Sequence, residues 1–298
     1  KDFGWGIHRF FRPLSMEYDI DIDKNIEYCL ISFPTCGRTW LRVMIKKAMQ
    51  LHFGLNNKDI FDLTFKEVNG EDLERAGESL PRIFVSHDGD VHWQSPEELI
   101  KTKEIYKSKK VILLIRDPRD VMVSFYFEKR YRVSSCEVKD YPSVFAKRIK
   151  PYKGTLHQFI RERVGGFETL LRFYNIWAEN RRVPKDLLLV RYEDVYKSPQ
   201  KEIRRILNFL GLRSVSEQVI DEAVSFASFT NMKRMEENLE YNHLNRYLTP
   251  GDRNNKESYK TRRGKVGGFA DYLDKKDIEY LNRRIKKSLS DFYGYLRV

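Results

Sequence analysis

The run Tyr28-Cys29-Leu30-Ile31-Ser32-Phe33 passes through Pro34 into the turn Thr35-Cys36-Gly37-Arg38-Thr39 and then reaches Trp40. A short apolar run without strict alternation suits a strand covered on both faces. Behind it, Trp40, Met44, Ala48 and Leu51 recur at helical spacing. Strand, turn and helix in this order set the first unpaired N–H groups of the helix, with their partial positive charge, at the end of the strand, where an anion finds donors. Gly37 permits close backbone approach, Thr39 adds a hydroxyl and Arg38 a charge. The stretch therefore predicts a phosphate-binding junction in an α/β fold.

The ATP-binding loop has the same shape but a different spelling. It needs a Gly, a four-residue gap and Gly-Lys-Ser/Thr, the lysine serving the terminal phosphates and the hydroxyl Mg²⁺. Here Gly37 is followed by Arg38-Thr39, and Ser32 stands where the earlier Gly belongs. Three further apolar runs, Arg82–Ser86, Val111–Ile115 and Leu187–Val190, join Tyr28–Phe33 as strand candidates. Helical patterns open at Pro118 and cover Phe159–Trp177, Pro199–Gly211, Ser216–Phe226 and Asp277–Phe292. The alternation predicts a doubly wound, mainly parallel sheet flanked by helices, with ligands beyond the carboxyl ends of its strands.

With 298 residues, 41% of them hydrophobic, the chain can bury a full core, and one domain over 1–298 is the economical expectation. Two stretches break the pattern as loops or lids, 130–154 and the strongly basic 242–268. Lys and Arg number 55 against 43 acidic residues, a balance that fits either an anionic partner or a solvated basic face. Cys29, Cys36 and Cys136 encode neither a disulfide framework nor a metal site, so a reducing, cytoplasmic setting is expected. No signal peptide, membrane-length apolar run or glycosylation sequon occurs, and no membrane partner is expected.

The second informative segment runs Val111-Ile112-Leu113-Leu114-Ile115-Arg116-Asp117-Pro118-Arg119-Asp120-Val121-Met122-Val123-Ser124. A strand delivers Arg116 at its end, and a helix places Ser124 about two turns in, where its hydroxyl can join Arg116 on one anion. The planar guanidinium fork suits phosphate. A structural Arg116–Asp117 ion pair with an ordinary helical serine is the plainer alternative.

Together the two segments resemble the sulfotransferases that use 3′-phosphoadenosine 5′-phosphosulfate (PAPS). The family's Tyr/Phe-Pro-Lys-Ser-Gly-x-Thr-Trp loop for the 5′-phosphosulfate is similar to Phe33–Trp40, and its Arg-x-Pro-x-Asp-x-x-x-Ser segment for the 3′-phosphate matches Arg116–Ser124 at each defined position. The resemblance extends from Tyr28 to Phe269. It implies that Tyr192, in Arg191-Tyr192-Glu193-Asp194, lies near the adenine and that Ser228-Phe229 contacts base and sugar. It also implies that Arg262-Arg263-Gly264, followed by Gly267-Gly268-Phe269, closes over the 3′-phosphate, with Gly-Phe in place of the family's Asp-Trp. Paired arginines beside a flexible Gly can clamp a phosphate, and the flat indole of Trp40 can serve as an adenine platform.

His87, just after the Arg82–Ser86 strand, is the candidate general base, since an imidazole titrating near neutrality suits proton removal from an attacking hydroxyl. His92, Asp88 and Asp90 are its rivals. The family's Lys-Thr-His reads Val85-Ser86-His87 here, so its lysine is missing. So is the loop lysine that neutralises the leaving phosphate, replaced by Thr35; Arg38 is the nearest cation to assume that role.

The resemblance thus implies sulfuryl transfer from PAPS to a hydroxyl of a small-molecule acceptor, with an amine as the alternative nucleophile. The product would be 3′-phosphoadenosine 5′-phosphate (PAP), and no metal is called for. A two-phosphate cofactor accounts for the basic charge without nucleic acid. The competing reading is a noncatalytic anion- or nucleic-acid-binding protein on the same fold, which Thr35 would suit. Phe125-Tyr126-Phe127, Arg130–Gly154 and Glu236–Tyr247 are candidate acceptor walls. The family's dimerisation motif is not recognisable after Phe269, which leaves the oligomeric state open.

Overall fold

The computed structural model describes residues 22–55, 61–64, 80–133, 148–240 and 248–295. Cys136 lies outside them, as do most of the 130–154 stretch and residues 242–247 of the second insertion. Four parallel strands, β1 (Tyr28–Ser32), β2 (Ile83–Ser86), β3 (Lys110–Ile115) and β4 (Asp186–Arg191), lie in the order β2-β1-β3-β4. The chain leaves β1 for one side and returns to the other, so β1 and β3 flank the topological switch point, the place where open α/β sheets take ligands.

All five residues of β1 are buried although successive side chains point to opposite faces, so both faces of the sheet are covered. One helix group, α1 (Arg38–Phe53) with α6 (Pro199–Phe209) and α7 (Glu217–Phe226), packs together; α2 (Pro118–Tyr131), α4 (Phe167–Glu179) and α9 (Lys275–Ser288) form a second. Three shorter helices are α3 (Leu156–Phe159), α5 (Tyr192–Lys197) and α8 (Phe229–Glu237). Pro118 and Pro199 open their helices where a missing N–H costs nothing, and the Ser216 hydroxyl accepts Val219 N–H to cap α7.

The doubly wound expectation is met, with two local corrections. Phe159–Trp177 is not one helix: α3 ends at Phe159 and α4 begins at Phe167. Gly165 has φ 66°, and a Cβ there would sit 2.3 Å from the His92 carbonyl oxygen, so the chain bends sharply against the core where helix cannot continue. The final helix also closes at Ser288, short of Phe292.

Register aligns the carboxyl ends of the strands, pairing Ile31 with Ser86, Ser32 with Leu114 and Ile115 with Arg191. Each strand then delivers one candidate residue to a single edge: β1 the Thr35–Trp40 turn, β2 His87, β3 Arg116 and β4 Tyr192. Phe33, fully buried, fixes the start of the turn by packing edge-on against Phe125 and Phe173, each with ring centroids 5.7 Å away.

Candidate active site

Thr35, Gly37, Arg38, Thr39, Trp40, His87, Arg116, Ser124, Tyr192, Phe229, Arg262, Arg263 and Gly264 line one cavity of about 580 Å³. Its volume fits a ligand of nucleotide size.

At the floor, helix α1 starts from Gly37, whose φ of 94° is left-handed, and its hydrogen-bond ladder begins with Leu41 N–H donating to the Gly37 carbonyl. The preceding N–H groups thus stand at the cavity with the positive end of a 16-residue helix behind them. A Cβ on Gly37 would sit 2.5 Å from the Tyr192 ring, so the turn requires glycine for conformation and for space. Thr35 also has a positive φ, 63°, a strained conformation for a β-branched residue. Its hydroxyl donates to the Val121 carbonyl (3.2 Å) and is thereby spent on α2.

Two of the expected side chains lie away from the cavity. The Cys36 side chain is fully buried beside the Tyr174 hydroxyl (3.5 Å), its thiol pushed up to about 12 by burial, so only its backbone can serve a ligand. Ser228 does not line the cavity; its hydroxyl caps α8 by accepting Asn231 N–H (3.4 Å). Phe229, the next residue, is 41% exposed and does line it.

Arg116 and Ser124 come together as expected. The guanidinium donates to Ser124 Oγ (3.3 Å), the Thr35 carbonyl (3.3 Å) and the Lys265 carbonyl (3.0 Å), and lies 4.3 Å over the Tyr192 ring. Its Nε is buried with no partner among the described residues. Asp117 is not its partner: that carboxylate takes Arg119 in a two-point ion pair (2.6 and 3.0 Å) and caps α2.

Trp40 donates its indole N–H to the Ala227 carbonyl (2.8 Å) and meets Tyr192 edge-on at 5.6 Å, leaving a partly buried ring at the cavity wall. Gly264 brings the 248–268 segment against the same end, since a Cβ there would lie 2.4 Å from the Phe229 ring. Arg262 spans Phe127 (4.1 Å) to Glu257 (3.1 Å) and the Tyr272 hydroxyl, whereas Arg263 pairs with Asp271 (2.7 Å).

Sequence reading assigned no role to the carboxylates that hold this segment. Asp120 accepts the N–H groups of Gly267 (2.8 Å) and Phe269 (2.9 Å); burial raises its proton affinity, against the pull of Arg116. Glu236, fully buried, accepts Lys260 N–H (2.7 Å), Thr261 N–H (2.8 Å) and the Thr261 hydroxyl (2.7 Å). Asp120 stood in a recognised motif, but Glu236 carried no signal because its partners lie 24 and 25 residues away.

Among the candidate bases, only His87 faces the cavity. Its Nδ1 lies 2.8 Å from the Ser32 carbonyl, which can only accept, so Nδ1 carries the proton and Nε2 a lone pair. Arg38 Nη2 donates to that lone pair at 2.6 Å. Burial first, then the Arg38 charge and His92, hold His87 well below the ordinary imidazole range, so it is neutral with Nε2 unprotonated. His92 packs edge-on behind it at 5.6 Å and is driven down to about 3 by burial and Lys129. Asp88 is buried in an ion pair with Lys103 (2.7 Å) and accepts from Tyr106 and Trp177, and Asp90 starts a short helical turn.

Of the candidate acceptor walls, Phe127 lines the cavity, with Arg132 and Val133 beyond it. Phe125 is core, and Tyr126 packs on Tyr152 and Phe159. Among the described residues no group of His, Cys, Asp and Glu could hold a metal ion, and no helix is long and apolar enough to cross a membrane.

A family model described as a sulfotransferase domain matches residues 25–293. The chain belongs to the sulfotransferase family. Membership makes it an enzyme that transfers a sulfuryl group. Among named relatives, cytosolic sulfotransferase 13 of Arabidopsis thaliana is 27% identical, the alignment covering 90% of this chain and 79% of that protein. The amine sulfotransferase of Oryctolagus cuniculus is 26% identical, covering 90% and 82%. The solved structure of mouse sulfotransferase SULT7A1 complexed with PAP shares the fold, with a TM-score of 0.58, 20% identity and coverage of 92% and 89%.

Proposed function

We propose that this sulfotransferase uses PAPS and sulfates a hydroxyl of a small-molecule acceptor, with His87 as general base. The observation that carries the reading is the neutral His87, its Nε2 lone pair in contact with Arg38 of the helix N-terminus, in the same cavity as the Arg116–Ser124 pair. Bound PAPS supplies an activated sulfuryl group. The Thr35–Trp40 turn holds the 5′ end through backbone N–H groups and Thr39, as helix N-termini hold anions. Arg116, Ser124 and Arg263 hold the 3′-phosphate, while Trp40, Tyr192 and Phe229 flank the base. Arg38 turns from His87 to the leaving phosphate, replacing the charge that Thr35 cannot provide, and His87 Nε2 takes the proton of the attacking hydroxyl.

The chain acts as one domain, the 248–268 segment serving as lid. Its setting is cytoplasmic, in keeping with buried free thiols at Cys29 and Cys36 and with the cytosolic relative named above. A noncatalytic binder is not favoured. Transfer of labelled sulfuryl from PAPS to a panel of phenols, alcohols and amines tests the reading. Turnover on a phenol or alcohol, reduced about 10²-fold or more by His87→Asn, is expected; turnover that survives this change would place the base elsewhere.

A further inference from the structure

The sulfuryl oxygens of the donor carry negative charge throughout the transfer, and more develops on the leaving phosphate, so a cation is called for at each. Arg38 and Lys260 line the same cavity. The Lys260 ammonium is 2.7 Å from Glu128 Oε2, and both side chains are about three-quarters buried. Glu128 lies one helical turn beyond Ser124 on α2 and faces the same cavity. Burial would raise Glu128, but the charges of Lys260 and then Arg132 override it and keep the carboxylate ionised. At the other end, Glu236 grips the Lys260 backbone N–H. The residue is therefore fixed at backbone and at tip. An ammonium has three donors, and Glu128 takes one. Lys260 is also among the charges that disfavour protonation of His87.

The other cavity cations have partners of their own, Arg132 with Glu236 among them. Arg116 serves the Ser124 end, Arg262 is held by Glu257 and Phe127, and Arg263 and Lys265 pair with Asp271.

We propose that Lys260 is a catalytic residue that binds the sulfuryl oxygens of the donor, with Glu128 as its positioning residue. The inference rests on the PAPS reading above. In the transfer step the acceptor oxygen forms the new bond to sulfur while its proton passes to His87 Nε2. The bond from sulfur to the bridging oxygen breaks, and its electron pair stays on the 5′-phosphate of PAP. Lys260 exchanges no proton; it contributes charge only.

Titration calorimetry with PAPS and with PAP, on the wild type and on Lys260→Met and Glu128→Gln, tests this without an acceptor. In Lys260→Met, PAPS affinity should fall about tenfold while PAP affinity stays within about twofold, the loss expected of one charge-assisted contact. Glu128→Gln should erode the PAPS preference in part and leave PAP binding unchanged. Equal weakening of both nucleotides, or an unchanged PAPS-to-PAP ratio in both variants, overturns the proposal. A wild type that binds neither nucleotide would instead defeat the PAPS reading itself.

Discussion

Arg38 and His87 share one hydrogen bond, and that contact ties the base to the group that neutralises the leaving phosphate. Because burial, Arg38 and His92 all oppose protonation, His87 remains a base well below the pH at which an ordinary imidazole would be half charged. The acid limb of kcat/KM is therefore expected well below pH 6.5. In Arg38→Ala the limb should move up, since one of the depressing charges is gone, and turnover should fall about 10²- to 10³-fold. A pH–rate profile of both proteins checks this. Unchanged turnover in Arg38→Ala, together with a sharp gain in Thr35→Lys, would show that Arg38 does not supply the missing charge. The residues themselves were legible in the sequence; their pairing was not, because β1 and β2 bring together positions 49 apart in the chain.

At the scale of elements, the lid is held chiefly by acceptors on helices. Asp120 fixes the backbone of Gly267 and Phe269 from α2, and Arg116 caps the Lys265 carbonyl from the end of β3. Removing two hydrogen bonds to a buried carboxylate weakens the docked loop by about 1–3 kcal/mol, so Asp120→Ala should release PAP roughly tenfold faster in stopped-flow experiments. The turn before α1 is constrained differently. Gly37→Ala has to place a Cβ against Tyr192 at positive φ, and a loss of about 1–3 kcal/mol is expected in urea unfolding. Here the sequence was most readable: four apolar runs became four strands, and Pro118 and Ser216 marked helix starts. It misled at Phe159–Trp177, where apolar spacing continued through Gly165 although the backbone there must turn under His92. The side chains of Cys36 and Ser228 stand away from the cavity for a related reason: a motif fixes the path of the backbone, while core packing and capping decide where the side chain goes.

For the molecule as a whole, the buried histidines set acid stability. Both His87 and His92 bind protons less readily folded than unfolded, so below about pH 6.5 the unfolded chain holds more protons and stability falls as pH drops. For His92 the loss continues to its folded value of about 3. Glu98, lowered to about 2 by Arg148, adds a loss in the same direction beneath the ordinary carboxylate range. Urea midpoints of His92→Asn should accordingly depend less steeply on pH between about 6 and 4 than those of the wild type. The basic surplus, readable from composition, told only that an anion was plausible; the fold resolves part of it into Arg38 and Arg116, which line one cavity. That this cavity takes a nucleotide with two phosphates is the central claim, and calorimetry of PAP against 5′-AMP tests it most directly. The account predicts that the wild type binds PAP at least about tenfold more tightly, as expected of charge-assisted hydrogen bonds to the 3′-phosphate, and that Arg116→Ala removes most of the difference. Equal affinity for the two nucleotides in the wild type would contradict it.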